Sequence, residues 1–470
     1  MPRTGVRFAL TLVVTLAALL GRPGVALAHA RLKSSAPANG EVVSIVPALL
    51  RLDFTESPEL ALTSVEIRGA DGRLIPLGPL QFAPDSHRAI VAQLRGALAA
   101  GGYVVTWQVV GDDGHPVRGT FSFAVSPSAA AGVHLPNTPD TGARPPLGAG
   151  AGAPVSTGFG VESSLYVLIR WAEFVGLVLI VGAVGFRWFV LVPISAESAS
   201  YSAELRESAE QPAAVIGGLA ALLLLVDAAC RVAAQWLAVR GAATSNAGVM
   251  GMVTGSRWGT AWAAQVALAV VAALLFARLR RSRSRGGWTG VSVAALALAF
   301  TPSLAGHAMA SQYLTSVAVA LDGLHVAGAS GWLGTLGLVL IVGLPAVGRL
   351  PERDRGPALA RMVAAFSPVA LTCASIVSAT GTFAAWHHMR SWTALWQSDY
   401  GQALLVKLAL VACVALAGAY NWRVVTPRLT SDGAASTLQR AIRIELAFGL
   451  LVLVITAVLI ALPTPLDMRM

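Results

Sequence analysis

Cysteine is nearly missing: three occur in 470 residues, and Cys230, Cys373 and Cys413 all fall inside apolar runs. That leaves neither a disulfide framework nor a thiolate metal cluster. Charge is scarce as well, at 12% of residues against 55% hydrophobic, which excludes an ordinary soluble domain and points to a membrane protein with an attached soluble part. No glycine-rich nucleotide loop is present, so nothing in the chain couples a step to ATP. Residues 29–127 contain no methionine, and any metal site there must use nitrogen and oxygen donors. The net charge of +10 resides largely in arginines of short loops between apolar runs, the habit of membrane proteins, and does not argue for nucleic acid.

What is present begins with a secretory signal over residues 1–28. Arg3 and Arg7 give a basic start, Phe8 to Leu20 an apolar run too short to span, and Ala26-Leu27-Ala28 a small-residue cleavage site. Cleavage after Ala28 puts His29 at the mature N-terminus, where its α-amino group and imidazole supply two nitrogen donors from one residue.

Residues 29–127 alternate with period two. Leu50, Leu52 and Phe54 form one such run, Tyr103, Val105, Trp107 and Val109 a second, and Phe121, Phe123 and Val125 a third. Turn signals at Asp71-Gly72, Gly101-Gly102 and Asp113-Gly114-His115-Pro116 divide them, and the spacing predicts an antiparallel sandwich of about seven strands. Asp85-Ser86-His87 precedes an apolar run that reads as the start of a strand. In extended chain, residues two apart point to one side, so the Asp85 carboxylate and His87 imidazole converge. With His29 they make three nitrogens and one oxygen, a set suited to Cu(II). His115 sits in a tight turn and is read as structural, and His134 as incidental.

Residues 128–160, rich in Ala, Gly, Pro and Ser, read as a flexible linker. Residues 161–470 form the membrane domain. Apolar segments near 164–190, 213–238, 259–278, 288–305, 316–346, 359–384, 402–422 and 441–462 are each long enough to span. With the N-terminal domain exported, arginine-rich loops after the third, fifth and seventh spans fall inside, as the positive-inside rule requires. His307, His325, His387 and His388 then lie in the outer loops or the outer third of a span. Met309 and Met389, beside them, are soft donors suited to Cu(I). Asp322 and His325 are three residues apart on one helix face. The pairs Arg170 with Glu173 and Asp227 with Arg231 have spacings at which they can neutralise each other. Lys407 is close enough to the outer face to snorkel, and Trp386, Trp392 and Trp396 read as an interfacial belt.

Two resemblances follow. His29-Ala30, Ser35-Ala36-Pro37-Ala38-Asn39-Gly40, Leu52-Asp53-Phe54-Thr55-Glu56, Gly102-Tyr103 to Trp107, and Asp113-Gly114-His115-Pro116-Val117-Arg118-Gly119 resemble the copper-binding CopC proteins of the bacterial periplasm. That resemblance implies an Ig-like sandwich holding Cu(II) through His29, Asp85 and His87. Leu324-His325-Val326-Ala327-Gly328-Ala329-Ser330-Gly331-Trp332-Leu333-Gly334, Ser398-Asp399-Tyr400-Gly401 to Lys407 and Arg443-Ile444-Glu445-Leu446 resemble the CopD copper-resistance membrane proteins over about residues 300–465, the first four spans matching more loosely.

The fold class expected is an N-terminal all-β Ig-like sandwich followed by an all-α polytopic membrane domain of eight transmembrane helices. The function expected is copper capture and import or homeostasis at a bacterial inner membrane, with the N-terminal domain extracytoplasmic, and not an enzyme. Its partners would be copper ions, the lipid bilayer and copper chaperones of the periplasm or cytoplasm. The competing readings are a copper- or haem-dependent membrane oxidoreductase and a non-transporting copper sensor. Against the first, Asp85 fills a coordination position that oxygen chemistry needs open, and the membrane histidines gather near one surface rather than facing each other across helices.

Overall fold

The computed structural model describes residues 32–96, 98–111, 116–127, 164–196, 201–239, 248–282, 284–306, 314–388, 392–428 and 434–462. The first of these form a two-sheet sandwich of nine strands, two more than the turn signals suggest, because β2 (Val42–Val43) and β5 (Leu74–Ile75) are two-residue pieces too short to show alternation. The remaining strands are β1 (Leu32–Ala36), β3 (Leu49–Phe54), β4 (Ser64–Gly69), β6 (Gln81–Ala83), β7 (Ser86–Gln93), β8 (Gly101–Val110) and β9 (Pro116–Val125). One sheet has the order β1-β3-β7-β6 and the other β2-β9-β8-β4-β5. Pairing is antiparallel throughout except between β2 and β9, which run parallel.

The alternating apolar residues face one another across the two sheets. Leu50, Leu52 and Phe54 from β3, Val105, Trp107 and Val109 from β8 and Phe121, Phe123 and Val125 from β9 are all buried, with Phe54 edge-on to Trp107 at 5.4 Å. Strand β8 departs from this rule in its last residues, where Gln108 and Val110, on the face that alternation assigns to solvent, are also buried. The membrane domain covers them.

Among the described residues, eight helices are long and apolar enough to cross a bilayer: α1 (Ser164–Ser195), α2 (Ser202–Val239), α3 (Arg257–Ser282), α4 (Arg285–Ala305), α5 (Thr315–Arg349), α6 (Glu352–Trp386), α7 (Asp399–Arg428) and α8 (Ala435–Ala461). Ser284 and Ser398 cap α4 and α7, each accepting from the backbone N–H three residues on. Helix α1 is the axis of the bundle, packing on α2 and on α5. It meets α5 backbone to backbone at Gly182 and Gly334, where a methyl group on either glycine would collide with the other helix's main chain.

Helices α1, α5 and α7 share a device at their far ends from the sandwich. Each widens into one π turn, at Phe186–Leu191, Val339–Gly343 and Asn421–Val425, directly ahead of Pro193, Pro345 and Pro427. Proline clashes with the carbonyl four residues back and has no N–H to give it. Slipping to a five-residue hydrogen bond, as Val192 N–H makes to the Arg187 carbonyl, lets the helix continue through the proline.

Candidate metal site and the layer beneath it

The sheet order places the candidate ligands at one end of the sandwich. Strands β1 and β7 flank β3 on either side, with Leu32 opposite Phe54 and Ala89 opposite Asp53. The start of β1, three residues past His29, and the start of β7, which carries His87, therefore bracket the end of β3. His29 itself is outside the described residues. His87 is exposed, with its ring edge-on to Phe82 at 5.2 Å, and its backbone carbonyl accepts from the Ser57 hydroxyl at 3.0 Å.

Asp85 differs from the expected strand geometry. It occupies the turn between β6 and β7, and strand β7 begins only at Ser86. Its carboxylate is bidentate to the Arg51 guanidinium, with both N–O distances 2.9 Å, and Arg51 also grips Asp53. These hydrogen bonds hold the Asp85 carboxyl below its ordinary range and push the guanidinium above its own, Asp53 contributing first. Among the described residues no three His, Cys, Asp or Glu side chains come together as a metal cluster. His87 and Asp85 are two donors at an exposed rim.

That rim belongs to the end of the sandwich docked on the helices. The ends of β3 and β8 and the starts of β4, β7 and β9 share it, and the 55–63 segment crosses it. Arg118 Nη2 donates to the Ala238 carbonyl at 2.8 Å and Gln108 Nε2 to the Val239 carbonyl at 3.3 Å, satisfying the last turn of α2. Arg118 and Gln108 also bond each other. Glu59 Oε1 accepts from the Arg257 N–H at 2.9 Å, satisfying the first turn of α3. A cation at a helix C-terminus and an anion at a helix N-terminus are both favourable placements. Leu62 and Val110 bury against Val239, Met252 and Trp258 between these polar clamps.

Beneath the dock, helices α1, α2 and α3 enclose a charged layer. Glu173, fully buried, lies 2.7 Å from Arg170 Nη1 through one oxygen; the other accepts from Arg231 at 2.7 Å and from Gln265 at 2.8 Å. Arg170 and Glu173 thus pair as their spacing suggests. Asp227 and Arg231 do not: Arg231 reaches across to Glu173 and Gln265, and both carboxylate oxygens of the buried Asp227 are without a hydrogen-bond partner. At the opposite end of these helices a second buried group, Arg187 with Glu210 at 2.9 Å and Arg206 with the same carboxylate at 3.1 Å, joins α1 to α2.

The other half of the bundle carries His325 on α5. Its Nδ1 lies 2.9 Å from the Thr380 hydroxyl of α6, and that hydroxyl donates its own proton to the Ile376 carbonyl at 2.6 Å. Thr380 is thereby set to accept from Nδ1–H, the tautomer in which Nε2 carries the lone pair, and the Val377 carbonyl also lies within hydrogen-bonding reach of the ring. Asp322 is exposed on the bundle surface, one turn from His325. Lys407 on α7 is within electrostatic reach of both Asp322 and His325. Helix α6 packs mainly on α5 and α7 mainly on α8, with little packing between α6 and α7 themselves. His307, Met309, Met389, His115 and His134 lie outside the described residues. So do the side chains of His387 and His388, the last two residues of the helix that contains α6. Trp386, Trp392 and Trp396 are exposed at the sandwich end of the bundle, where an interfacial belt belongs.

Three family models match in tandem: the CopC domain over residues 32–126, the N-terminal domain of copper resistance protein D-like proteins over 161–317, and copper resistance protein D over 360–459. The chain belongs to the CopC/CopD copper-resistance family. The four spans that look loosest beside CopD have a family model of their own. Over nearly its whole length the chain is similar to a copper transport protein, CutJ, of Bacillus subtilis, with 25% identity over 96% of this chain and 77% of the relative. The sandwich is similar to the protein YobA of Escherichia coli, 31% identical over 25% of this chain and 93% of the relative. It is also similar to copper resistance protein C of Xanthomonas campestris, 32% identical over 24% and 93%. Copper handling by a multi-pass membrane protein is thus the family function. Arg51, which grips the candidate ligand Asp85, and Glu59, Gln108 and Arg118, which bond the helix ends, are contacts that reading the sequence misses, because isolated polar residues at strand ends carry no periodic signal.

Proposed function

We propose that the chain captures Cu(II) on the outer side of a bacterial cytoplasmic membrane and hands it directly to the helix bundle for import. The ligand set is the amine and imidazole of His29 after signal cleavage, the His87 imidazole and the Asp85 carboxylate. The observation that carries this reading is the placement of the candidate ligand strands at the docked end of the sandwich. Three extended residues reach about 10 Å, and two strand spacings are about 9.6 Å. A terminus starting three residues before Leu32 can therefore cross β3 to His87. Asp85 enters the set by exchanging Arg51 for copper. In the bundle, the free Nε2 of His325 is the receiving donor, with His307, Met309, Asp322, His387, His388 and Met389 as the path to it. The soft methionines suit Cu(I), which forms only once an external one-electron reductant has acted on the captured Cu(II). Chaperones on either face would supply and accept the ion.

The test is copper uptake into proteoliposomes holding the full mature chain. Wild type should accumulate copper, one extra residue ahead of His29 should weaken capture by orders of magnitude at low copper, and His325→Ala should stop uptake without preventing capture. Uptake no greater than in empty vesicles, or undiminished by the extension, would overturn the reading.

A further inference from the structure

Among the described residues, every charged side chain of the layer beneath the dock has a direct partner except one. Glu173 takes Arg170, Arg231 and Gln265, which leaves both oxygens of Asp227 without a hydrogen bond in a site where the residue is 4% exposed. The Arg231 guanidinium, one turn along the same helix, is directed away to Glu173 and Gln265. Trp262 packs close by, its indole N–H donating to the Ala228 carbonyl at 2.8 Å. The charged groups facing Asp227 are Glu173 and Arg170 from α1 and Arg231 from α2 itself; α3 contributes the uncharged Gln265 to the same layer. A bare carboxylate buried without hydrogen bonds is expensive, and inside a span such an unsatisfied group is a candidate for function.

We propose that Asp227 is a proton-binding site: its carboxylate takes up one H⁺ to become a neutral carboxylic acid and releases it when positive charge enters the neighbouring layer. The step makes and breaks one O–H bond and moves no electrons; water at the dock end of α2, about 18 Å along the helix at 1.5 Å per residue, is the proton's source and sink. The link to the cargo route is Arg170, whose charge acts on both Asp227 and Asp322, and Asp322 stands one turn from His325. A cation arriving at His325 offsets the negative charge of Asp322, so more of the Arg170 field acts on Asp227, which favours its ionised form, and the proton leaves. The positive charge gained at His325 is matched by the one lost from Asp227. This coupling rests on the copper-import reading above; the existence of the proton site does not.

Two measurements on the full chain in lipid bilayers separate these. Acid titration followed by infrared difference spectroscopy should show the C=O stretch of a protonated, dehydrated carboxyl, absent in Asp227→Asn and restored at a shifted frequency in Asp227→Glu. Addition of Cu(I) to the same samples should release about one proton per copper bound, read by a pH dye, in wild type and Asp227→Glu but not in Asp227→Asn. A band unchanged in Asp227→Asn, or one abolished by sodium at constant pH, overturns the proton site. A band that behaves as expected with no copper-linked proton release overturns the coupling alone. If wild type carries no copper at all, the import reading fails while the band still decides Asp227. Should Asp227→Asn not assemble, Asp227→Glu by itself must shift the band for the site to stand.

Discussion

The two halves of the bundle place ionisable groups at similar distances from the sandwich end and treat them in opposite ways. In α1, α2 and α3, Arg170, Glu173, Arg231 and Gln265 are closed into one buried network, interlocked by direct contacts of 2.6–2.8 Å. In the other half, His325, Asp322 and Lys407 are spread over α5 and α7 beside the poorly covered α6; 6% and 17% of the most apolar stretches of α6 and α7 are buried, against 61% for α1 and 56% for α5. The same residue types therefore serve as a staple in one half and as accessible chemistry in the other. The lesson is that charge inside a span is not by itself a functional sign: the test is whether its hydrogen-bonding capacity is used up. By that test Glu173 is structural, while His325 and Asp227 are open.

The sharpest way to break the comparison is to exchange the expected effects. Glu173→Gln strands two buried guanidinium groups, and losing one partner of a buried ion network costs about 3–5 kcal/mol. It should lower the thermal midpoint in detergent strongly and reduce folded yield, whatever copper does. His325→Ala removes one hydrogen bond, to Thr380, worth about 1 kcal/mol. It should leave the midpoint nearly unchanged while abolishing uptake. Equal stability losses for the two variants would erase the distinction between the halves.

An intermediate effect is expected at the dock. Arg118 and Glu59 satisfy helix ends, each such cap contributing about 1 kcal/mol. In Glu59→Ala with Arg118→Ala, spin labels on the sandwich and on α3 should show a broadened distance distribution, and low-copper uptake should slow because the ligand end no longer rests on the bundle. A distribution as narrow as wild type would mean that the apolar contact of Leu62 and Val110 with Trp258 suffices.

How much of this was legible beforehand depends on whether the signal is periodic. The three alternating runs of β3, β8 and β9 gave the core of the sandwich, and apolar length gave all eight spans, though the helices run on past their apolar cores, α2 starting at Ser202 rather than 213 and α6 at Glu352 rather than 359. Gln108 breaks the alternation of β8 because a second surface, distant in sequence, covers it, and no local pattern announces that. The pairing of Arg231 with Glu173, 58 positions apart, likewise overrides the i,i+4 spacing to Asp227, since the helix packing brings α1 closer than Arg231's own previous turn. The three π turns had a sign that went unread: an apolar or aromatic run ending in Val-Pro, Leu-Pro or Thr-Pro at the far ends of α1, α5 and α7. At the metal site, Asp85-Ser86-His87 marked the candidate ligands. Arg51 was hidden because a β3 residue opposite Val91 meets the turn only through the sheet.

Arg51 supplies the smallest effect and the finest test. It competes with copper for Asp85 and places a positive charge at the mouth of the site, so Arg51→Gln should raise Cu(II) affinity severalfold. The same change should move the acid limit of binding. With Arg51 present the Asp85 carboxyl is held below its ordinary range, so it remains ionised until the solution is more acidic than a free carboxylate requires. Without Arg51 that protection is lost, and the Asp85-dependent part of copper binding should disappear at higher pH than in wild type. Because the Arg51–Asp85 pair is solvent-exposed, folding stability should scarcely change. Titrating Cu(II) against wild type and Arg51→Gln between pH 3 and 6 separates the outcomes, a span of roughly one unit either side of the ordinary carboxylate range. A tighter site with an upward-shifted acid limit places Asp85 on the metal, whereas two superimposable curves would leave the aspartate as Arg51's partner alone and confine the exported site to its histidines.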